Sequence, residues 1–206
     1  YLKCDHDLIY SKTQSCIRHQ DWETIKSDKE NRYRYLSLFE MADIGGFVLL
    51  KEPDKQIEVA QWSIKSFINF VKFIGLDINK LKISYFEETN IKEATDGKYN
   101  IDKKIPTDPM LGYWEELGIK KEQLIPDKTR DTLLSLRIFG LPTPWGYRNE
   151  IHYEYQGRLL DIGTVEYMKY EPLFNENGEI YDLKEYEHSL GISAIGIERL
   201  NMIINN

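Results

Sequence analysis

The chain ends in small and apolar residues that lead straight into an arginine. Residues 191–200 read G-I-S-A-I-G-I-E-R-L. Small side chains in a strand let a ligand or another backbone approach closely. A guanidinium just beyond such a strand can lie over a nucleotide base or contact a phosphate. Arg199 is therefore a candidate nucleotide-binding residue.

The residue types that form disulfide scaffolds and zinc sites are sparse. The only two cysteines, Cys4 and Cys16, lack C-x-x-C spacing, and the four histidines are scattered along the chain. The sequence therefore supports neither a disulfide framework nor a zinc centre.

Length and composition are those of one globular domain. The 206 residues are 41% hydrophobic and 30% charged, which suits a chain with a substantial core. A formal charge of −7 argues against a strongly basic nucleic-acid surface, although a local patch could still bind RNA. The longest apolar stretch, 67–74, is too short to span a bilayer, and the N-terminus has no signal-peptide layout. We therefore expect a cytoplasmic protein. A start at Tyr1 rather than Met is consistent with a missing upstream piece.

Strand patterns outnumber helix patterns and predict an α+β domain with a mostly antiparallel sheet. The clearest helix is 54–75, where apolar residues recur at helical spacing and Gly75 provides a stop. Shorter helices are predicted at 109–117 and 197–204. A polar segment, 87–109, is typical of a surface insertion. Strands are predicted at 14–18, 34–41, 81–86, 150–155 and 158–170, and before Gly196.

Six segments carry a recognisable series of motifs. They are Gln14 to Arg18, Phe39-Glu40-Met41, Trp114 to Ile119, Pro144-Trp145-Gly146 with Glu150 to Tyr153, Asp161 to Met168, and Gly196 to Leu200. In this order they resemble Q-x-C-[VI]-R, F-E-M, W-x-x-x-G-I, G-P-x-G-P-x-x-E-I-x-Y-D, E-I-W-N-x-V-F-M and G-L-E-R of the alanyl-tRNA synthetase branch of class II aminoacyl-tRNA synthetases. The resemblance implies one class II synthetase-like catalytic domain over 1–206, with an antiparallel sheet flanked by helices. No counterpart of the family's motif 1 is visible.

The resemblance implies ATP-dependent amino acid activation, with ATP and Mg²⁺ as cofactors. Such chemistry depends on positioning and charge neutralisation. The resemblance places Arg18 on the α-phosphate and the substrate carboxylate, because a bidentate fork suits both anions. It places Arg34 on the β- and γ-phosphates and Arg199 on adenine. Phe39 would lie on the other side of the base, with Met41 next along the same strand face. The resemblance leaves open whether this face or the opposite one, with Arg34 and Glu40, meets adenine.

Some of these residues have a structural alternative. Asp161 replaces a family Glu and keeps an oxygen ligand suited to Mg²⁺, but it could also be an acid in a turn. Arg18 could be an ordinary surface residue, and Phe39 could belong to the core.

The amino-acid half departs from the family pattern. The family acid that pairs with the substrate's α-amino group aligns with Ile192, which cannot bind an ammonium. The family Asn aligns with Thr164. Glu166 stands where the family has an apolar residue, so it could supply the missing anion or face outward on a sheet edge. We therefore expect an amino-acid-binding region around these three residues that does not handle alanine as the family does.

The resemblance leaves the acceptor and the activity open. The sequence stops soon after the segment Gly196 to Leu200 that resembles G-L-E-R, and the family's tRNA-recognition, editing and C-terminal domains have no counterpart in it. The chain could be an excised catalytic core, or a paralogue that loads tRNA, a carrier protein, a peptide or a small metabolite. A catalytically reduced nucleotide-binding or regulatory module is the alternative from another class. Retention of Arg18, Asp161 and Arg199 favours an enzyme, whereas loss of the amino-binding acid favours the module or a changed substrate.

Overall fold

The computed structural model describes residues 8–18, 22–27, 36–49, 53–135 and 143–205. Its strands are β1 (Leu8–Ile17), β2 (Leu38–Leu49), β3 (Leu81–Phe86), β4 (Thr89–Asn90), β5 (Lys104–Ile105), β6 (Leu124–Asp127), β7 (Leu133–Ser135), β8 (Trp145–Tyr155), β9 (Arg158–Phe174) and β10 (Ile180–Gly196). Its helices are α1 (Trp22–Ser27), α2 (Pro53–Phe73), α3 (Ile91–Ala94), α4 (Leu111–Glu116) and α5 (Ile197–Ile204).

One large sheet dominates the fold. Its strand order is β1-β2-β10-β9-β8-β3-β6, with β7 also paired to β8. Only the β3–β6 pairing is parallel among the described strands. The predicted α+β class with a mostly antiparallel sheet is therefore confirmed. Several strands are longer than the sequence indicates, and β2 continues through Gly45 and Gly46 rather than ending before them.

Helix α2 covers one face of the sheet and confirms the helix predicted at 54–75. The helix buries apolar side chains that include Ile64, Phe67 and Val71. Gly191 of β10 permits this packing, because a Cβ there would lie 2.8 Å from Ser63 Oγ and from the Val59 carbonyl oxygen. In the described part of the chain, no helix is both long and apolar enough to cross a membrane.

The segment 87–109 is not the surface insertion that its polarity predicts. It folds into β4, α3 and β5, and it buries Ile91, Ile101 and Ile105 in the main core. Hydrophobic side chains at a few well-spaced positions are sufficient to attach a polar segment to the core. The average polarity of the segment conceals them.

A buried hydrogen-bond network joins this segment to the sheet. Trp114 donates its Nε1–H to Asn149 Oδ1 over 3.1 Å, and Asn149 Nδ2 donates to Asp108 over 2.7 Å. Asp108 also accepts from the Met110 backbone N–H over 2.8 Å. Burial raises the pKa of Asp108, while the two donors oppose that shift. The Trp114 segment is therefore anchored to β8 by polar contacts as well as by packing.

We predict that Asn149→Ala lowers the free energy of unfolding by about 3 kcal/mol, because it removes a donor from a buried carboxylate. Urea denaturation measures the change. Asn100→Ala, at an exposed loop position, is the control and should change stability by less than about 0.5 kcal/mol. Equal stability of the two variants would contradict the structural role of this network.

Candidate functional site

A cavity of about 290 Å³ opens on the sheet near the point where β10 passes into α5. Side chains from β2 and β9 contribute to its wall, together with residues near the end of β1. The lining residues are Cys16, Arg18, Leu36, Phe39, Met41, Arg148, Glu150, Asp161, Ile162, Gly163, Thr164, Glu166, Gly196, Glu198 and Arg199. Residues predicted from three distant parts of the sequence therefore share one site.

Strand alternation explains most of this lining. Phe39 and Met41 share a face of β2, and Thr164 and Glu166 share a face of β9. Asp161 would face away if β9 were regular. The pairing passes from Ile151–Gly163 to His152–Asp161, so Ile162 is an extra residue in a β-bulge. Such a bulge re-aims the neighbouring side chain, which brings Asp161 to the cavity.

Arg199 and Glu198 are held in place by opposite sides of the site. Arg199 Nη1 lies 2.5 Å from Asp161 Oδ2 and 2.8 Å from the Asp161 carbonyl oxygen. Glu198 accepts the Glu40 backbone N–H with both carboxylate oxygens, at 2.9 and 3.1 Å. These bonds attach the start of α5 to β9 and to β2. The guanidinium of Arg199 is thereby held in the wall of the cavity that Phe39 also lines.

Asp161 lies within a strand, so the alternative of an acid in a turn is wrong. Its carboxylate binds Arg199, and the described residues include no group of three histidine, cysteine or acidic side chains that could hold a metal ion. The described residues are therefore a poor ligand set for a metal ion bound by the protein alone. Mg²⁺ ligation by Asp161 stays a prediction.

Two glutamates and one arginine form the other end of the cavity. Arg148 Nε donates to Glu166 Oε1 over 3.2 Å, and Arg148 Nη1 lies 3.6 Å from Glu150 Oε1. The Glu166 side chain is only 12% exposed, so it does not face outward at a sheet edge. Burial raises the pKa of Glu166, and the Arg148 guanidinium opposes that shift. This half of the cavity is polar and charged.

Tyr10 and Ile192 lie beside Glu166 in the sheet. The register aligns Tyr10 with Gly45, Gly45 with Ile192, and Ile192 with Glu166. A Cβ on Gly45 would lie 2.3 Å from Tyr10 Cζ, so the ring occupies the space over this glycine. Burial raises the pKa of Tyr10, and the Glu166 carboxylate contributes to the same direction. Tyr10 therefore extends toward the acidic end of the site.

The structure brings most predicted site residues together. Ile192 neighbours Glu166 but does not line the cavity, and Arg34 falls outside the described residues. The predicted residues that line the cavity are Arg18, Phe39, Met41, Asp161, Thr164, Glu166 and Arg199. Their roles toward ligands stay predictions.

Sequence reasoning missed Arg148 and Glu150. Glu150 opens the segment Glu150 to Tyr153, and the resemblance described above implies no role for either residue. The available signal was the opposite charge of Arg148 and Glu166 on two adjacent strands. The register of β8 and β9 places the two residues directly opposite each other, and they are in contact.

Comparison with known proteins gives weak structural matches. No protein-family model matches the sequence, and no curated protein matches it. Apo histidyl-tRNA synthetase from S. aureus matches with a TM-score of 0.47 and 14% identity, over 97% of this chain and 44% of that chain. The RNA-binding domain of threonyl-tRNA synthetase from Cryptosporidium parvum Iowa II matches with a TM-score of 0.40 and 12% identity, over 82% and 38%. The chain thus spans less than half of either structure. Neither protein is an alanyl-tRNA synthetase, so the assignment to that branch stays a prediction.

We predict that Arg148→Met destabilises the protein by about 3 kcal/mol near neutral pH, because the buried Glu166 carboxylate loses its cation. Burial already raises the folded-state pKa of Glu166, and loss of the Arg148 guanidinium, which opposes that shift, raises this pKa further above its unfolded value. The folded state then binds more protons than the unfolded chain, so the variant regains stability relative to the wild type as the pH falls through that folded-state pKa.

Urea denaturation at about pH 7.5 and about pH 5 tests this pH dependence. Arg130→Met removes an exposed arginine and serves as the control. A stability loss in Arg148→Met that is equal at both pH values would contradict the pairing.

Proposed function

We propose that the chain is an ATP-dependent ligase that activates an amino acid as its adenylate. The observation that supports this proposal is the shared cavity of Arg18, Phe39, Asp161, Glu166 and Arg199. The family resemblance assigns each of these residues to ATP, to Mg²⁺ or to the amino acid. These residues come from strands and a helix that are far apart in the sequence. A purely structural origin of the sequence motifs would not require one common cavity.

In the proposed reaction an amino acid carboxylate oxygen attacks the α-phosphorus of ATP. The new oxygen–phosphorus bond gives an aminoacyl-adenylate, and the bond to the β-phosphate oxygen breaks to release pyrophosphate. No protein nucleophile is needed, so catalysis consists of orientation and charge stabilisation. Arg18 would bind the reacting carboxylate and the α-phosphate, whose negative charges it brings together.

The adenine would lie between Phe39 and Arg199. A guanidinium over an aromatic plane is a favourable arrangement, and a base between the two side chains would contact both. The bonds from Asp161 keep Arg199 from turning away before the nucleotide binds. Arg34 would bind the β- and γ-phosphates.

Mg²⁺ would enter with ATP, ligated largely by phosphate oxygens and water, as is common for this ion. It would neutralise part of the triphosphate charge. The acceptor of the activated amino acid would be tRNA or another molecule with a nucleophilic group.

Amino-acid-dependent exchange of pyrophosphate into ATP tests the activation step directly. The assay is run with each amino acid and with several simple amines. We expect exchange with at least one amino acid, and none without it. ATP binding without exchange for any amino acid would contradict the ligase and favour the nucleotide-binding module. Absence of ATP binding would contradict both functions.

We predict that Arg18→Ala weakens ATP binding or slows exchange by about ten- to a hundred-fold. The variant loses a charge-assisted hydrogen bond worth about 1.5–3 kcal/mol, at about 1.4 kcal/mol for each factor of ten. Fluorescent-nucleotide titration and the exchange assay measure the two quantities. Lys65→Ala, at an exposed position on α2, is the control and should leave both unchanged. Wild-type binding and exchange in Arg18→Ala would exclude its proposed role.

A further inference from the structure

Two carboxylates line the half of the cavity proposed to bind the amino acid. They differ in exposure and in the hydrogen bonds that they accept from the protein. Glu166 is 12% exposed and accepts a hydrogen bond from Arg148 Nε over 3.2 Å. Glu150 is 33% exposed, and Arg148 Nη1 lies 3.6 Å from its oxygen, beyond hydrogen-bond distance. Among the described residues, no donor gives Glu150 a hydrogen bond. Glu150 is therefore the carboxylate with capacity left for a ligand.

The charges around Glu150 favour a cation. Among the described residues, Arg148 is the cation that pairs with Glu150 and also with Glu166, so these two carboxylates share one positive charge. Burial raises the pKa of Glu150, Arg148 opposes that shift, and Asp161 raises the pKa further. A ligand cation at this point would relieve the repulsion between these acids.

A buried hydroxyl beside Glu150 also lacks a partner. Thr164 is paired with Glu150 across β8 and β9, and residues paired in this way have Cβ atoms about 5 Å apart. The Thr164 Oγ1 atom is buried and has no hydrogen-bond partner within the described part of the chain. An ammonium group carries three donors, so it can bind a carboxylate and a hydroxyl together.

The position of Glu150 suits the amino group of an adenylate. Thr164 is two residues nearer than Glu166 to Asp161, the residue that holds Arg199. Glu150 therefore lies on the nucleotide side of the acidic end. Glu166 lies farther along the strand and is already bound to Arg148.

We infer that Glu150, together with the Thr164 hydroxyl, binds the ammonium group of the substrate, and that Glu166 positions Arg148 instead. The substrate is then an amino acid with a free amino group, not a plain carboxylic acid. This inference rests on the proposed function, because it requires the adenylate to occupy the same cavity.

Two adenylate analogues that differ only in the ammonium group test the inference. They are glycyl-sulfamoyl-adenosine and acetyl-sulfamoyl-adenosine, in which the –NH₃⁺ of the first is replaced by hydrogen. Neither analogue has an amino acid side chain, so the test does not require the side chain of the natural substrate to be known. Calorimetry should show that the wild type binds the glycyl compound about ten- to a hundred-fold more tightly, as expected for a charge-assisted contact.

The Glu150→Gln variant should bind the two analogues about equally, while its affinity for the acetyl compound stays at the wild-type value. That unchanged affinity shows that the cavity is still folded. Glu154→Gln changes an exposed glutamate of the same strand, and it should keep the wild-type preference.

Three results would overturn the inference and leave the proposed function intact. The wild type could bind both analogues with equal affinity. The preference for the glycyl compound could survive in Glu150→Gln but be lost in Glu166→Gln, or Glu150→Gln could lose affinity for both analogues equally. Failure of the wild type to bind either analogue would instead contradict the proposed function, and the inference with it.

Discussion

Alternation along β2, β9 and β10 decides which side chains can reach the cavity. On β10, a Cβ at Gly191 would meet helix α2, whereas Ile192 pairs with Glu166 on the opposite face. A register shift of one residue would exchange these faces. The tight approach of α2 at Gly191 opposes such a shift, since any larger side chain there would collide with the helix. Packing on one face of the sheet therefore fixes which side chains line the cavity on the other face.

Ion pairs hold several of the charged side chains that line the cavity. Arg199 is bound to Asp161 and Arg148 to Glu166, while Lys12 lies 3.5 Å from Asp43 in the adjoining part of the sheet. These arginines are thus already ordered in the folded chain, which would reduce the entropy lost on binding of the proposed nucleotide and amino acid. The same pairs offset the negative charge of acids that would otherwise repel the proposed triphosphate. The low exposure of Glu166 is acceptable only because Arg148 compensates its charge.

Much of this arrangement follows from local sequence patterns, and the remainder depends on contacts between strands. Apolar spacing identifies helix α2, and strand alternation places Phe39 with Met41. The β-bulge at Ile162 leaves no mark in the alternation, because one extra residue in a long apolar strand resembles a regular one. The contact between Arg148 and Glu166 depends on the register of β8 and β9, which a single strand does not encode. The polar segment 87–109 conceals Ile91 and Ile105, whose burial depends on the core they join.

The central claim is that one cavity holds a nucleotide between Phe39 and Arg199 with its α-phosphate at Arg18. A crystal structure of the protein with a non-hydrolysable ATP analogue tests it most directly. The account predicts adenine density between the Phe39 ring and the Arg199 guanidinium, and an α-phosphate oxygen within hydrogen-bond distance of Arg18. A nucleotide bound elsewhere on the protein, or in this cavity with its phosphates directed away from Arg18, would contradict it.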